Sequence, residues 1–118
     1  MVYGIGIEAV DVERFKKALL RWGERLRERL FTGPELDYCL AMRFPERHLS
    51  ARFAAKVSVK KALGRNIRFK DIEIIRDKGG RPSVEVKGLE GFEFSLSITH
   101  DGDLSLAQTI AQRTEGTR

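Results

Sequence analysis

The sequence has little cysteine and no long apolar run, and each shortage excludes a class of protein. Cys39 is the only cysteine among 118 residues, so neither an internal disulfide nor a cysteine-rich zinc site can form. No apolar stretch approaches the roughly 20 residues that a membrane-spanning helix needs. The first ten residues also lack the basic segment and the cleavage pattern of a signal peptide. These absences predict a soluble cytoplasmic protein.

The chain nevertheless contains enough apolar residues for one folded core. Apolar residues make up 42% of the sequence and include seven Phe, and a chain of 118 residues has the usual length of one domain. We therefore expect a single domain over residues 1–118, with a disordered tail from about residue 114.

The charge is modest in total and uneven along the chain. Lys and Arg number 22 against 17 Asp and Glu, which gives a net charge of +5. Between residues 13 and 29, seven basic side chains stand against three acidic ones. A local positive surface predicts an anionic partner, such as a nucleic acid, a phosphorylated cofactor or an acidic protein.

Hydrophobic periodicity divides the chain into strands and helices. Strand patterns cover residues 2–10, 72–75, 84–86, 92–99 and 104–111, and helical patterns cover residues 12–31, 33–42 and 45–64. We expect Gly23 to interrupt the first helix, a capping box of Thr32 and Glu35 to start the second, and residues 100–103 to form the last turn. Because four strands follow the helices without interruption, the order predicts an α+β fold, an antiparallel sheet with helices packed on one side.

The first strand carries one carboxylate among apolar residues and two glycines. Glu8 is costly in such a strand unless it meets a cation or lies in water at an edge. It suits a Mg²⁺ site as well as an edge position. Gly4 and Gly6 predict a close approach of another backbone or of a ligand.

Basic side chains recur at helical spacing in two of the predicted helices. Arg14, Lys17, Arg21 and Arg25 are three, four and four residues apart, so they form one stripe that either docks an acidic partner or lies solvated.

A second basic group lies in the last predicted helix. It precedes Gly64 and consists of Arg52, Lys56, Lys60 and Lys61. These side chains either bind phosphate or interact favourably with the negative end of the helix dipole. His100 follows an alternating strand, where it is a proton shuttle, a phosphate donor or a turn residue.

Three motifs together are similar to those of one family. The sequence GIG at residues 4–6 comes two residues before an acid, RFAAK lies at residues 52–56, and SITH lies at residues 97–100. In this order and spacing the chain resembles the holo-acyl-carrier-protein synthases, small bacterial phosphopantetheinyl transferases, over nearly its whole length.

The resemblance implies an activity, an assembly and roles for individual residues. It implies transfer of 4′-phosphopantetheine from coenzyme A to a serine of apo-acyl carrier protein, with release of 3′,5′-ADP, by a homotrimer whose sites lie between subunits. It implies that Glu8 binds Mg²⁺ and that the basic stripe binds the carrier protein. The implied catalytic residues are Glu8, Lys56 and His100, and the implied coenzyme A ligands are Arg52, Lys56, Lys60, Lys61, Gly64 and His100.

The chain departs from the family pattern at several of these positions. Glu8 stands where the family has Asp, Arg65 and Asn66 stand where it usually has Thr and Gly, and Asp101 stands where it has Thr or Ser. Val57 replaces the family's second acid, and it cannot ligate a metal or accept a proton. Its spacing from residues 49 and 53 predicts that it belongs to an apolar stripe.

Three functions remain open from the sequence. The chain is a transferase with altered metal use, or a silenced relative that keeps the trimer and a coenzyme A or carrier-protein surface, or a small RNA-binding protein. The RNA alternative is the weakest, because aromatic residues do not interleave with the basic ones as a base-stacking surface requires.

Overall fold

A computed structural model gives the structure of residues 1–114. Thr114 donates its backbone N–H to the Gly91 carbonyl oxygen at 3.0 Å, so the chain is held up to this residue, and the rest of the predicted tail lies outside the described residues. The elements are β1 (Val2–Asp11), α1 (Val12–Leu30), α2 (Gly33–Leu40), α3 (Pro45–Leu63), β2 (Ile72–Arg76), β3 (Pro82–Val86), β4 (Phe92–Asp101) and β5 (Leu104–Arg113), with a 3-10 turn at Phe69–Asp71.

The helices begin and end at the residues whose chemistry predicts it. Thr32 donates its backbone N–H to Glu35 at 2.8 Å, and the Thr32 hydroxyl accepts the Glu35 N–H at 3.4 Å, which confirms the capping box. Gly64 ends α3 with φ 65°, a left-handed conformation that glycine adopts without strain. Gly23 breaks α1 with φ 62° and ψ −142°. Among residues 1–114, no helix is long and apolar enough to cross a membrane.

The strands are antiparallel, as expected for the α+β class, but they form two sheets. The order β1-β5-β4 makes a three-stranded sheet, and β2 pairs with β3 in a separate hairpin. Alternation in the sequence identifies which residues form a strand and which face is apolar, but it does not say which strand lies beside which. The prediction of one sheet is corrected in this respect.

Helix α3 packs directly on one face of the three-stranded sheet. A Cβ atom at Gly4 would overlap the Ala62 carbonyl oxygen, and one at Gly6 would overlap that of Ser58. The two glycines therefore admit the backbone of α3, which settles the predicted close approach in favour of a backbone. This contact fixes how far the charged side chains of α3 lie from β1.

The last turn is shorter than predicted. His100 pairs with Ser105 and Asp101 with Leu104, so both residues continue β4, and only Gly102 and Asp103 form the turn. Gly102 has φ 59°, as the first residue of a two-residue hairpin turn requires. His100 is consequently held on the sheet and does not lie in a loop.

Candidate functional site

A cavity of about 350 Å³ lies between α3, the β2–β3 hairpin and the end of β4. We call it the Arg52 cavity; it is lined by His48, Ala51, Arg52, Ile74, Ile75, Arg76, Pro82, Ile98 and His100. Arg52 is only 6% exposed, and its guanidinium carbon lies 4.5 Å from the centroid of the Tyr38 ring. Its Nε has no hydrogen-bond partner, and no carboxylate among residues 1–114 forms an ion pair with it. A buried guanidinium without a counter-ion predicts an anion site.

The electrostatics of the same cavity agree with this interpretation. Burial lowers the pKa of His48 below its ordinary value, and the neighbouring Arg52, His100 and Arg76 lower it further, while Glu46 opposes the shift. Arg76 also lies over the Tyr38 ring, at 5.5 Å from its centroid. Arg52 from α3 and Arg76 from β2 thus bring two positive charges to this cavity, and a bound anion would offset their mutual repulsion.

Glu8 forms an ion pair with a lysine, as expected for a carboxylate in an apolar strand. Its carboxylate lies 2.7 Å from the Lys61 Nζ, and Lys61 also donates to the Ile7 carbonyl oxygen at 3.2 Å. The Glu8 side chain is half-buried and that of Lys61 is exposed. Glu8 is on the face of the sheet that α3 covers, because it lies opposite the buried Ala107, and Lys61 reaches it from α3.

A basic cleft lies beside this pair at the carboxyl end of α3. We call it the α3 cleft; its cavity of about 380 Å³ is lined by Val57, Lys60, Lys61, Gly64, Arg65, Asn66 and Phe69. The Lys60 Nζ lies 4.0 Å from the centroid of the Phe69 ring. Val57 is half-buried on this surface, four residues from the half-buried Phe53, and its apolar side chain lines the cleft.

The structure does not bring Lys56 to either surface. Its ammonium is fully buried, 2.6 Å from the Glu35 carboxylate, and it donates to the carbonyl oxygens of Leu30 at 2.8 Å and Phe69 at 3.0 Å. All three protons of the ammonium are thereby used. Burial lowers the pKa of Lys56, and the Glu35 charge opposes that shift. In this chain Lys56 joins the start of α2 to the core, and as placed it cannot reach a ligand.

The kink in α1 divides the predicted basic stripe. Arg14, Lys17 and Arg21 lie exposed before Gly23, and none forms an ion pair with a carboxylate of the described chain. Arg25 follows the non-helical residue, so helical spacing does not carry it onto the same face. The stripe is corrected to three residues, with the exposed Trp22 at its end; the Arg21 guanidinium carbon lies 5.2 Å from the centre of the Trp22 ring.

The predicted site residues therefore fall into two groups on one chain. Arg52 and His100 line one cavity, while Lys60, Lys61 and Gly64 line the other and Glu8 borders it. Arg52 and Lys61 are separated by about 14 Å along α3, at 1.5 Å per residue. Glu8 is level with Ile98 on β4 through Ala107 on β5, so Glu8 and His100 are about 10 Å apart across the sheet and about 7 Å apart along it.

Sequence reasoning missed several basic residues near these groups. His48 and Arg76 complete the Arg52 cavity, and Arg29 and Lys70 line a second cavity of about 500 Å³ next to the α3 cleft. Helical spacing on α3 puts His48 and Arg52 on one face, because they are four residues apart, and this signal was available. Arg76 has no such signal, because it comes from a hairpin distant in sequence.

The comparison with known proteins identifies the class. The sequence profile of the 4′-phosphopantetheinyl transferase superfamily matches residues 4–110. The holo-[acyl-carrier-protein] synthase of Geotalea daltonii is 33% identical over 96% of this chain and 100% of its own length. The synthase of Clostridium tetani is 37% identical over 95% of this chain and 97% of its own. The chain belongs to the 4′-phosphopantetheinyl transferase superfamily, within its holo-[acyl-carrier-protein] synthase family.

Solved structures agree with the assignment. The holo-[acyl-carrier-protein] synthase of Neisseria meningitidis superposes with a TM-score of 0.86 at 30% identity, covering 96% of this chain and 100% of that one. The Bacillus anthracis synthase, solved in complex with coenzyme A (3′,5′-ADP), gives a TM-score of 0.84 at 28% identity and covers 97% of this chain and 99% of that one. The α+β fold predicted from the sequence is thereby confirmed.

Proposed function

We propose that this protein transfers 4′-phosphopantetheine from coenzyme A to a serine of an acyl carrier protein, and that it does so in the cytoplasm. The single observation that carries the proposal is Arg52, a buried guanidinium that has no counter-ion among residues 1–114, in a cavity that also contains Arg76 and two histidines. Family membership supplies the substrates, since relatives are named for the reaction and one was solved with coenzyme A.

The two basic surfaces suit the phosphates of coenzyme A. The molecule carries a 3′-phosphate and a diphosphate, and the Arg52 cavity and the α3 cleft offer cations to both. In the reaction the serine oxygen attacks the phosphorus that bears pantetheine. The bond from that phosphorus to the bridging oxygen breaks, and 3′,5′-ADP leaves with the bridging oxygen. Lys60 and Lys61 are close enough to the cleft to offset the negative charge that develops there.

The residues around Glu8 do not fit a magnesium ion held by the chain alone. Among residues 1–114, no group of three or more His, Cys, Asp or Glu side chains is arranged to hold a metal. Glu8 offers one carboxylate, which already binds the Lys61 ammonium, and Val57, which lines the cleft with Lys61, offers no ligand. The predicted Mg²⁺ requirement stays a prediction, and the assay below tests it.

The assembly that we propose is the homotrimer implied by the resemblance. The sheet face opposite α3 carries Ile5 and Ile7, which are 59% and 53% exposed, and Ile5 lies opposite Ile110 on β5. An exposed apolar face of this kind is typical of a surface covered by another subunit. A ring of three copies would let the Arg52 cavity of one subunit approach the α3 cleft of the next.

A light-scattering measurement tests the assembly. Wild-type protein should have three times the mass of the chain, and Ile7→Glu should be monomeric, because a buried charge without a partner is costly. The control is Leu20→Glu on α1, where the side chain is 77% exposed on a different surface, and it should remain trimeric. A monomeric wild type would contradict the proposed assembly.

A second candidate function is a silenced relative that binds coenzyme A without reacting. The observation that favours it is Val57 at the position of the family's second acid, in the same cleft as Lys61, whose ammonium binds the Glu8 carboxylate. Val57→Glu would return a second carboxylate to this surface. Val57→Gln is the matched control, because it has nearly the same shape as Glu and no charge.

The transfer assay distinguishes these functions. Apo-acyl carrier protein, coenzyme A and enzyme are mixed with Mg²⁺ or with a chelator, and the carrier is weighed by mass spectrometry. A phosphopantetheine increment from the wild type supports the proposed function, and its loss in chelator supports the metal requirement. An increment from Val57→Glu alone supports the silenced relative. Calorimetry that detects binding of RNA but not of coenzyme A would contradict both.

A further inference from the structure

Two buried serines join α3 to His100 through a chain of hydrogen bonds. The Ser50 hydroxyl donates to the Arg47 carbonyl oxygen at 3.0 Å, and its oxygen lies 2.8 Å from that of Ser105. The Ser105 oxygen lies 3.3 Å from the Nδ1 of His100. Both serines are fully buried, so water does not compete for the contact between them, whereas His100 reaches from this pair to the exposed end of β4.

When all three contacts are made as hydrogen bonds, counting the hydrogens gives each bond one direction. Each serine has one hydroxyl hydrogen. Since Ser50 gives its hydrogen to Arg47, the bond between the two serines uses the hydrogen of Ser105. Ser105 then has only lone pairs to offer His100, so the hydrogen of the last bond must be on the Nδ1 of His100.

We propose that Ser105 is a positioning residue that holds His100 in the Nδ1–H form and leaves its Nε2 as a proton acceptor. The contact orients the imidazole by its inner nitrogen, and the outer nitrogen is the one free for a ligand. No motif in the sequence indicates Ser105, because a serine in an alternating strand has many ordinary roles.

The proposal selects among the roles that the sequence left open for His100. A neutral imidazole protonated at Nδ1 accepts a hydrogen bond at Nε2 and cannot donate one there. It therefore suits removal of the proton from the attacking serine, while Arg52 and Arg76 already provide donors for a phosphate in the same cavity. This consequence for catalysis rests on the proposed function, whereas the position of the proton does not.

The chain offers a matched control in a second pair of hydroxyls. Ser58 donates to the Ala55 carbonyl oxygen at 2.7 Å and lies 2.6 Å from the Thr109 hydroxyl. This pair also joins α3 to β5 and is fully buried, but no histidine is bonded to it. Ser58→Ala therefore removes the same hydroxyl group as Ser50→Ala, but it leaves the hydrogen bonds that lead to His100 intact.

Nitrogen-15 NMR of the histidine rings tests the proposal in the full protein. The chain has two histidines, so the His100 signals are assigned by comparison with a His48→Gln variant. In the neutral ring of the wild type, Nδ1 should have the shift of a protonated nitrogen and Nε2 that of an unprotonated one. Ser105→Ala should give a mixture of the two forms. Ser50→Ala frees the Ser105 hydrogen to donate to Nδ1, so it should favour the Nε2–H form.

The outcomes are distinct for the proposal and for the proposed function. Ser58→Ala should leave the His100 signals unchanged, and an equal shift in this control would overturn the proposal, as would an Nε2–H ring in the wild type. In the transfer assay, Ser105→Ala should lower kcat by about tenfold, less than the full contribution of a general base, with the KM for coenzyme A unchanged. A wild type with the Nδ1–H form but no transfer would leave this inference standing and contradict the proposed function.

Discussion

Replacing Arg52 with methionine should stabilise the free protein and weaken its binding of coenzyme A. Arg52 is buried with an Nε that lacks a partner, so it costs stability while the cavity is empty. Methionine keeps the length of the side chain and its packing, but it removes the charge and the unpaired donor. Stability and binding are therefore expected to change in opposite directions.

The magnitudes follow from the contacts of the guanidinium. An unpaired buried donor costs about 1–3 kcal/mol, and the contact with the Tyr38 ring returns about 0.5–2 kcal/mol. The balance is a gain of about 1 kcal/mol in the free energy of unfolding, or about 3–5 °C in Tm for a chain of this size. Loss of a charged hydrogen bond to phosphate costs about 1.5–3 kcal/mol of binding, which is roughly a 10- to 150-fold rise in Kd.

Two measurements on the same preparation check this prediction. Thermal unfolding without ligand gives the change in stability, and calorimetric titration with coenzyme A gives the change in Kd. Arg47→Met is the control, because Arg47 is exposed and does not line the Arg52 cavity. If Arg52→Met lowers Tm by several degrees and leaves the Kd within twofold of the wild type, Arg52 is a structural residue and the reasoning is refuted.

Three further predictions follow from the charges. The pKa of His48 is lowered in the folded chain, so at low pH the unfolded chain binds more protons than the folded one. The free energy of unfolding should therefore decrease as the pH falls below about 6.5. The decrease should be smaller in His48→Gln. Denaturant titration should find Lys56→Met about 3–5 kcal/mol less stable, because its buried carboxylate partner loses its counter-ion; an unchanged midpoint would contradict the buried pair. The double variant Arg14→Glu and Arg21→Glu should raise the KM for acyl carrier protein at least tenfold, since like charges repel an acidic partner. Arg25→Glu, beyond the kink, should change that KM much less. An equal effect would mean that Arg25 belongs to the same binding surface as Arg14 and Arg21.

The elements were predictable because their signals are local. Asp11 and Thr32 start helices, and Gly64 ends one by adopting a conformation that other residues avoid. Alternation over residues 92–99 likewise indicates β4 from the sequence. These features depend on residues a few positions apart, so spacing alone reveals them.

The site was only partly predictable because its chemistry depends on contacts between distant residues. Helical spacing groups Lys56 with Lys60 and Lys61. In the structure Lys60 and Lys61 line the α3 cleft, whereas Lys56 forms a buried ion pair with Glu35 in the core. Arg76 joins Arg52 from a separate hairpin. The bond of Ser105 to His100 exists only because β4 and β5 pair in one register.

A crystal structure of the protein with 3′,5′-ADP tests the central claim most directly, because it shows which group binds the Arg52 Nε. The account predicts a phosphate oxygen within hydrogen-bonding distance of the Arg52 Nε, with Arg76 beside it. Clear density for the nucleotide elsewhere, with the Arg52 Nε still unpaired, would contradict the account.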